Sequence, residues 1–190
     1  MTDTDNAEVS GPALARPLLT ERLLLREFVD SDFDALREIA VDPDVLRYRS
    51  RQEITPQATR EFIQNAQARA EERPRQQYAL AAVLRDGLRL VGELGLTIIN
   101  SRYDEAFLWY SMHRAYWGQG YATESAVRLV RFGFEDADLR RIFAECHPQN
   151  VASARVLQKI GLLPETMADG GRLRFGLTKD RYARRRMDAK

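Results

Sequence analysis

The chain has 190 residues, a mass of 21.8 kDa and a net charge of +1, so it holds one compact core and carries no field that would draw nucleic acid. Its 44% hydrophobic and 30% charged residues are those of a globular protein. No apolar run approaches the roughly 20 residues of a membrane helix, and Cys146 with His113 and His147 cannot supply a disulfide or a multi-cysteine metal site. The acidic opening, residues 1–5, lacks the apolar stretch of a secretory signal. These features predict a cytoplasmic, metal-free domain without membrane or nucleic-acid partners, and they leave a homodimer open.

Residues 1–17 mix Asp, Asn, Ser, Gly and Pro without periodicity and read as a disordered lead-in to a domain over 18–183. Residues 18–28, centred on Leu23-Leu24-Leu25, predict the first strand. Asp30 or Ser31 can cap a helix that carries Phe33, Leu36 and Ile39 at one-turn spacing. Thr55-Pro56 is an N-cap followed by proline at the first helical position, and the helix it opens, with Phe62, Ile63, Ala66 and Ala70 on one side, ends before Pro74. Residues 77–85 and 88–100 are β-rich runs joined by the turn signal Asp86-Gly87. Residues 106–112 have almost no polar position, which predicts a central strand covered on both faces. A helix follows near 123–136, marked by Ala126, Val127, Val130 and Phe134, then a strand over 141–146. A helix over 151–160 is stopped by Gly161, and short strands near 162–166 and 172–178 flank Ala168-Asp169-Gly170-Gly171. The order predicts an α/β fold built on a mixed sheet with helices on both faces. Arg184-Arg185-Arg186 falls in a basic tail over 184–190, read as solvated.

The stretch between the central strand and its helix, Tyr116-Trp117-Gly118-Gln119-Gly120-Tyr121-Ala122-Thr123, carries the chemistry. Gly118 and Gly120 have no Cβ to hold a ligand away from the backbone. The free N–H groups and positive dipole end of the following helix favour an anion. Strand, glycine turn and helix together suit a phosphate. The loop has no P-loop lysine, and Thr123 stands where the dinucleotide fingerprint needs its third glycine.

The sequence resembles the GNAT acetyltransferase superfamily, and within it the RimJ/RimL-type branch. Trp117 to Ala122 matches the later part of the family loop, and Tyr116 to Glu124 repeats the branch's Y-W-G-[K/Q]-G-Y-A-T-E string. Thr20-Glu21-Arg22-Leu23 with Leu25-Arg26, Val91-Gly92-Glu93-Leu94-Gly95-Leu96, and Asn150-Val151-Ala152-Ser153 through Leu157 with Lys159-Ile160-Gly161 extend the likeness over about residues 18–180. The resemblance implies a GNAT fold: a mostly antiparallel central sheet with a splay between its two central strands. It implies acetyl-CoA as co-substrate and a primary amine as acceptor, either a protein N-terminus or a small molecule, acetylated by direct attack without a covalent intermediate. The amides of Gly118, Gln119, Gly120, Tyr121 and Ala122, with Thr123 at the helix start, are then expected to cradle the pyrophosphate. Backbone groups near Tyr110 and Met112 would pair with the pantetheine in a strand-like mode. Asn150 would bond a pantetheine amide, and Ser153, one turn on, would touch the cofactor or protonate the leaving thiolate.

Glu93 is a candidate base, weighed against a solvent-facing strand carboxylate. Glu145 and His147 are further candidates, while Cys146 reads as a buried filler. Phe107 stands where relatives often have Glu. That departure keeps a second reading open, a non-catalytic acyl-CoA-binding or sensing module. The helix at 56–73 and its preceding loop occupy the family's acceptor wall. Arg47, Arg49 and Arg51 there favour an anionic acceptor, or reflect an arginine-rich chain.

Overall fold

The computed structural model describes Leu14 and residues 16–48, 55–100 and 104–188; most of the lead-in, Arg49 and Arg51 lie outside the described residues. In chain order the elements are β1 (Leu18–Leu19), β2 (Leu23–Arg26), α1 (Phe33–Val41), α2 (Pro43–Leu46), α3 (Pro56–Ala70), β3 (Gln77–Leu84), β4 (Leu90–Asn100), β5 (Glu105–Met112), α4 (Tyr121–Glu135), β6 (Arg141–Cys146), α5 (Val151–Lys159), β7 (Leu163–Met167), β8 (Leu173–Thr178) and α6 (Lys179–Asp188). The strands form one sheet in the order β1-β2-β3-β4-β5-β6-β8-β7, antiparallel throughout except for the parallel pair β5–β6.

Period-two alternation sorts the apolar residues of the sheet into two layers. Ala79, Ala81 and Val83 of β3 pack with Ile39 of α1 and Ile63 of α3, whereas Tyr78, Leu80 and Ala82 face the layer of α4 and α5 with Leu129 and Leu157. Helices therefore cover both faces, as the element order predicts. Two predicted caps form: the Thr55 side chain accepts from Ala58 N–H above Pro56, and Gly161, at φ +98°, closes α5. The expected cap at Asp30 or Ser31 does not, because residues 30–32 form a 3-10 turn and α1 starts at Phe33 after Asp32, which makes no side-chain cap bond.

Three predicted elements differ. The first strand is broken by Thr20, whose hydroxyl accepts from Leu23 N–H (2.8 Å), so β1 and β2 form a tight hairpin. The β3–β4 connection spans residues 85–89, with Gly87 and Leu88 both at positive φ, and is longer than a two-residue turn. Residues 179–188 form a helix that the sequence did not signal, because α6 buries none of its own residues. Tyr182 holds it, its ring stacked on Phe134 at 4.8 Å and its hydroxyl donating to Glu135 (2.8 Å). Residues 184–188 of the expected tail continue this helix. Among the described residues no helix is long and apolar enough to cross a membrane.

Gly95 on β4 lets the indole of Trp109 lie flat across the strand, because a Cβ there would overlap the ring and the Tyr78 carbonyl oxygen. Backbone on one side cannot retreat. Gly95→Ala is expected to cost about 1–3 kcal/mol through overpacking, read as a lowered melting temperature. An unchanged melting temperature would mean that the indole simply swings away.

Candidate functional site

The glycine loop is shaped by two left-handed residues. Gly118 lies at φ +75° and Gly120 at φ +87°, conformations that side chains rarely tolerate. Ahead of them His113 caps a 3-10 turn over Arg114–Tyr116, its Nδ1 accepting from Ala115 N–H (3.1 Å). Behind them the first helical bond of α4 runs from Glu124 N–H to the Gly120 carbonyl (2.9 Å). Between these points the amides of residues 118–123 donate to nothing among the described residues. A Cβ on Gly118 would meet nothing within 4 Å, so the loop is open above its backbone. Successive free N–H groups at a helix start form an anion-binding concavity.

One carboxylate holds that loop in place. Glu124, in the first turn of α4, accepts from the Thr20 hydroxyl (2.5 Å), the Arg22 N–H (2.8 Å) and the Arg22 guanidinium (2.7 Å). Arg22 also donates to the Gln119 carbonyl (3.0 Å) and lies over the Tyr121 ring at 4.2 Å. Partial burial works against the Glu124 charge, but the hydrogen bonds from Thr20 and Arg22 outweigh it and hold the carboxyl below its usual range.

β5 and β6 pair only through Glu105↔Arg141, Ala106↔Ile142 and Phe107↔Phe143, then part. Each keeps its outer partner to the end: Gly92↔Met112 on one side, Cys146↔Leu173 on the other. His113 N–H bonds the Val91 carbonyl on the β4 side, so alternation turns the backbone groups of Leu108, Tyr110 and Met112 to the open edge. The Met112 carbonyl is already engaged, accepting from the Trp117 indole N–H (2.8 Å).

At the far side of the splay stands α5. Asn150 is its N-cap, with Oδ1 accepting from Ser153 N–H (3.0 Å), while Nδ2 makes no hydrogen bond among the described residues. The Ser153 hydroxyl lies 2.8 Å from the Tyr110 hydroxyl, which also reaches the Ser153 carbonyl (3.2 Å). Burial raises the Tyr110 phenol well above its usual range and pushes the neighbouring Cys146 thiol up, which disfavours a thiolate at this buried position.

A cleft of about 1260 Å³ runs through the splay and joins this side to the other face of the sheet. There Glu93 is 3% exposed and paired in register with Ser111, a buried wall carboxylate rather than the solvent-facing one weighed from the sequence. The two further base candidates, Glu145 and His147, are hydrogen-bonded. Glu145 accepts from the Arg174 Nε and Nη2 (2.9 and 2.7 Å). His147 accepts from Gln149 N–H at Nδ1, so the neutral ring carries its proton on Nε2 and has no free lone pair. Phe107 packs against Phe143, ring centroids 5.5 Å apart.

The structure thus brings Tyr110, Met112, the residues 118–123, Asn150 and Ser153 to one side of the splay and Glu93 to the other. Sequence reasoning missed the roles of Thr20, Arg22 and Glu124, although all three stood in quoted motifs, and it missed the Tyr110 and Trp117 side-chain bonds, for which no sequence signal exists.

Residues 22–163 match the family described as the acetyltransferase (GNAT) domain. The chain is 31% identical over 179 residues to "Uncharacterized N-acetyltransferase p20" of Bacillus licheniformis, covering 87% of this chain and 98% of that protein. Among solved structures, an acetyltransferase of the GNAT family from Bacillus anthracis superposes with a TM-score of 0.75 at 25% identity, over 86% of this chain and 99% of that one. Mycobacterium smegmatis RimJ, solved with CoA-disulfide, superposes with a TM-score of 0.74 at 19% identity, over 92% and 97%. The chain belongs to the GNAT acetyltransferase family, and its β5–β6 splay is the one parallel pair of the expected sheet.

Glu124→Gln is expected to loosen the loop and lower the melting temperature at pH 7. Because the folded carboxyl titrates below its unfolded value of about 4.3, its contribution is full above that pH and disappears as pH falls through the folded value. The gap between the two proteins is therefore expected to narrow progressively as melts are taken to pH values below about 4.3. A gap that does not change with pH would assign the loss to packing instead.

Proposed function

We propose that the protein transfers the acetyl group of acetyl-CoA to a primary amine by direct attack on the thioester. The observation that carries this reading is the run of unclaimed amides over 118–123 beside the unpaired edge of β5. The first offers donors to a pyrophosphate, and the second offers an extended strand edge to the amides of pantetheine. That RimJ is solved with CoA-disulfide on a similar fold supports the same ligand here.

In this reading Gly118, Gln119, Gly120, Tyr121 and Ala122 cradle the pyrophosphate, with Thr123 at the helix start. Asn150 keeps its helix cap through Oδ1 and offers Nδ2 to a pantetheine carbonyl. Tyr110 contributes backbone groups from the open edge, and Met112 contributes its N–H, its carbonyl being held by Trp117. An edge N–H polarises the thioester carbonyl as its oxygen gains charge. The amine enters from the Glu93 side. Glu93 takes its proton, directly or through water, and Ser153 protonates the departing thiolate, with the Tyr110 hydroxyl 2.8 Å behind it. No covalent enzyme intermediate is needed, because the two substrates meet in the splay and orientation supplies much of the rate.

Two variants test this. Gly118→Ala places a methyl over the loop and strains φ +75°, and CoA affinity in calorimetric titration is expected to fall about tenfold or more, since each lost charge-assisted bond is worth about 1.5–3 kcal/mol. Unchanged binding would remove the loop from the cofactor site. Ser153→Ala is expected to lower kcat by up to about 100-fold while CoA affinity stays within about threefold. CoA binding without acetyl transfer to any of a panel of peptides, polyamines and aminoglycosides would instead support the non-catalytic acyl-CoA-binding module.

A further inference from the structure

His113 stands between the end of β5 and the glycine loop, and its two ring nitrogens face different partners. Nδ1 accepts from the Ala115 N–H (3.1 Å), so the neutral ring carries its proton on Nε2. Nε2 lies 3.2 Å from Glu38 Oε2 of α1. Ala115 in turn uses its carbonyl to accept from Gln119 Nε2 (2.9 Å). A single residue therefore joins the imidazole to the middle of the loop. Gln119 is held from the other side as well, since its own carbonyl accepts from Arg22 (3.0 Å).

The ends of this turn have supports that do not involve the imidazole. The Trp117 indole donates to the Met112 carbonyl (2.8 Å), the Tyr116 N–H bonds the His113 carbonyl (3.0 Å), and Arg114 pairs with Asp44 of α2 (3.1 Å). Only the Ala115 amide, in the middle, relies on the protonation of a side chain. A ring that takes a second proton has no lone pair left at Nδ1. Two N–H groups then face each other where a hydrogen bond was, while the Nε2 side gains an ion pair with Glu38. Arg89, from the β3–β4 connection, lies 3.8 Å from the same Glu38 oxygen and competes for it, and the Tyr116 ring meets the imidazole edge-on at 5.7 Å. The sign of the effect follows from the lone pair: protonation weakens the cap.

We propose that His113 is a positioning residue for the cofactor loop that works only while its ring is neutral, so that CoA is held less tightly once the imidazole is protonated. This inference rests on the reading of the loop as the CoA site, but the relay from the ring to Gln119 exists without the ligand. The net worth of one hydrogen bond sets the effect at about threefold to tenfold in affinity.

The test compares the wild type with His113→Asn in calorimetric titrations with CoA at pH 8 and pH 5.5. Asparagine places Oδ1 where histidine has Nδ1, keeps an acceptor for the Ala115 N–H and does not titrate. CoA carries a phosphate monoester that titrates near pH 6, so the quantity read is the ratio of the two proteins' affinities at each pH. The two are expected to agree within about twofold at pH 8, and His113→Asn is expected to bind about threefold or more tightly than the wild type at pH 5.5. Glu38→Gln withdraws the charge that attracts the imidazolium, and is expected to move the wild-type loss to lower pH. In the free protein, the Gln119 side-chain amide signals in heteronuclear NMR are expected to shift as the His113 ring titrates and to stay fixed in His113→Asn. A ratio that does not change with pH, a variant that already binds poorly at pH 8, or Gln119 signals that ignore the ring would each overturn the inference. A wild-type protein that fails to bind CoA at pH 8 would refute the cofactor reading, and the Gln119 signals would still decide this one.

Discussion

The Glu124 carboxylate is the point on which the site depends. It receives three donors from the turn between β1 and β2, and those donors fix the direction in which α4 begins. Six amides act as one anion site only if they point together, and nothing inside the loop makes them do so, since both glycines are free to take many conformations. The restraint comes from outside: Arg22 grips Glu124 on one side of the loop and the Gln119 carbonyl on the other. A short edge hairpin, anchored in the core by Leu18, Leu23 and Leu25, thus preorganises the run of amides at the start of α4.

The splay follows from a similar division of labour. β5 is held by β4 as far as Met112, and β6 by β8 as far as Cys146, so neither strand needs the other to satisfy its outer edge. Once Phe107 and Phe143 have passed, the inner edges part and leave backbone groups without partners. Exposed strand edges are templates for an extended chain. Trp117 closes one end by bonding the Met112 carbonyl, and Tyr110 with Ser153 stands at the other wall.

Much of this was legible in the sequence for a physical reason. Backbone-built features need particular residues at particular places, and glycine at positive φ, proline at a helix start and a cap at Asn150 all leave a local signature. The order of strands and helices, the loop and α5 could therefore be read directly. The break at Thr20, the docking of α6 by Tyr182 and the burial of Glu93 depend on partners far away in the chain. Alternation along β4 says that Glu93 and Leu94 face opposite ways, but only the packed α1 and α3 layer shows that the Glu93 side is covered. The hydrogen bonds from Arg69 to Gln77, and from Gln77 and Trp109 to Thr97, draw on α3 and three strands and have no local mark at all.

On the proposed reading, that difference also separates the two substrates. The proposed cofactor side is built chiefly from main-chain groups, which remain when side chains change. The side proposed for the acceptor is built from side chains on α3, β3, β4 and β5, which can be exchanged without touching the start of α4. β5 serves both through its period of two: Tyr110 turns to Ser153, while Trp109 and Ser111 turn to the acceptor half. A slip of one residue in its pairing with β4 would send Trp109 into the cofactor side and Tyr110 away from Ser153. The flat indole over Gly95 opposes that slip, because only at this register does a residue without a Cβ lie beneath the ring. The glycine that makes room for Trp109 therefore also helps fix which side chains of β5 face which half of the cleft.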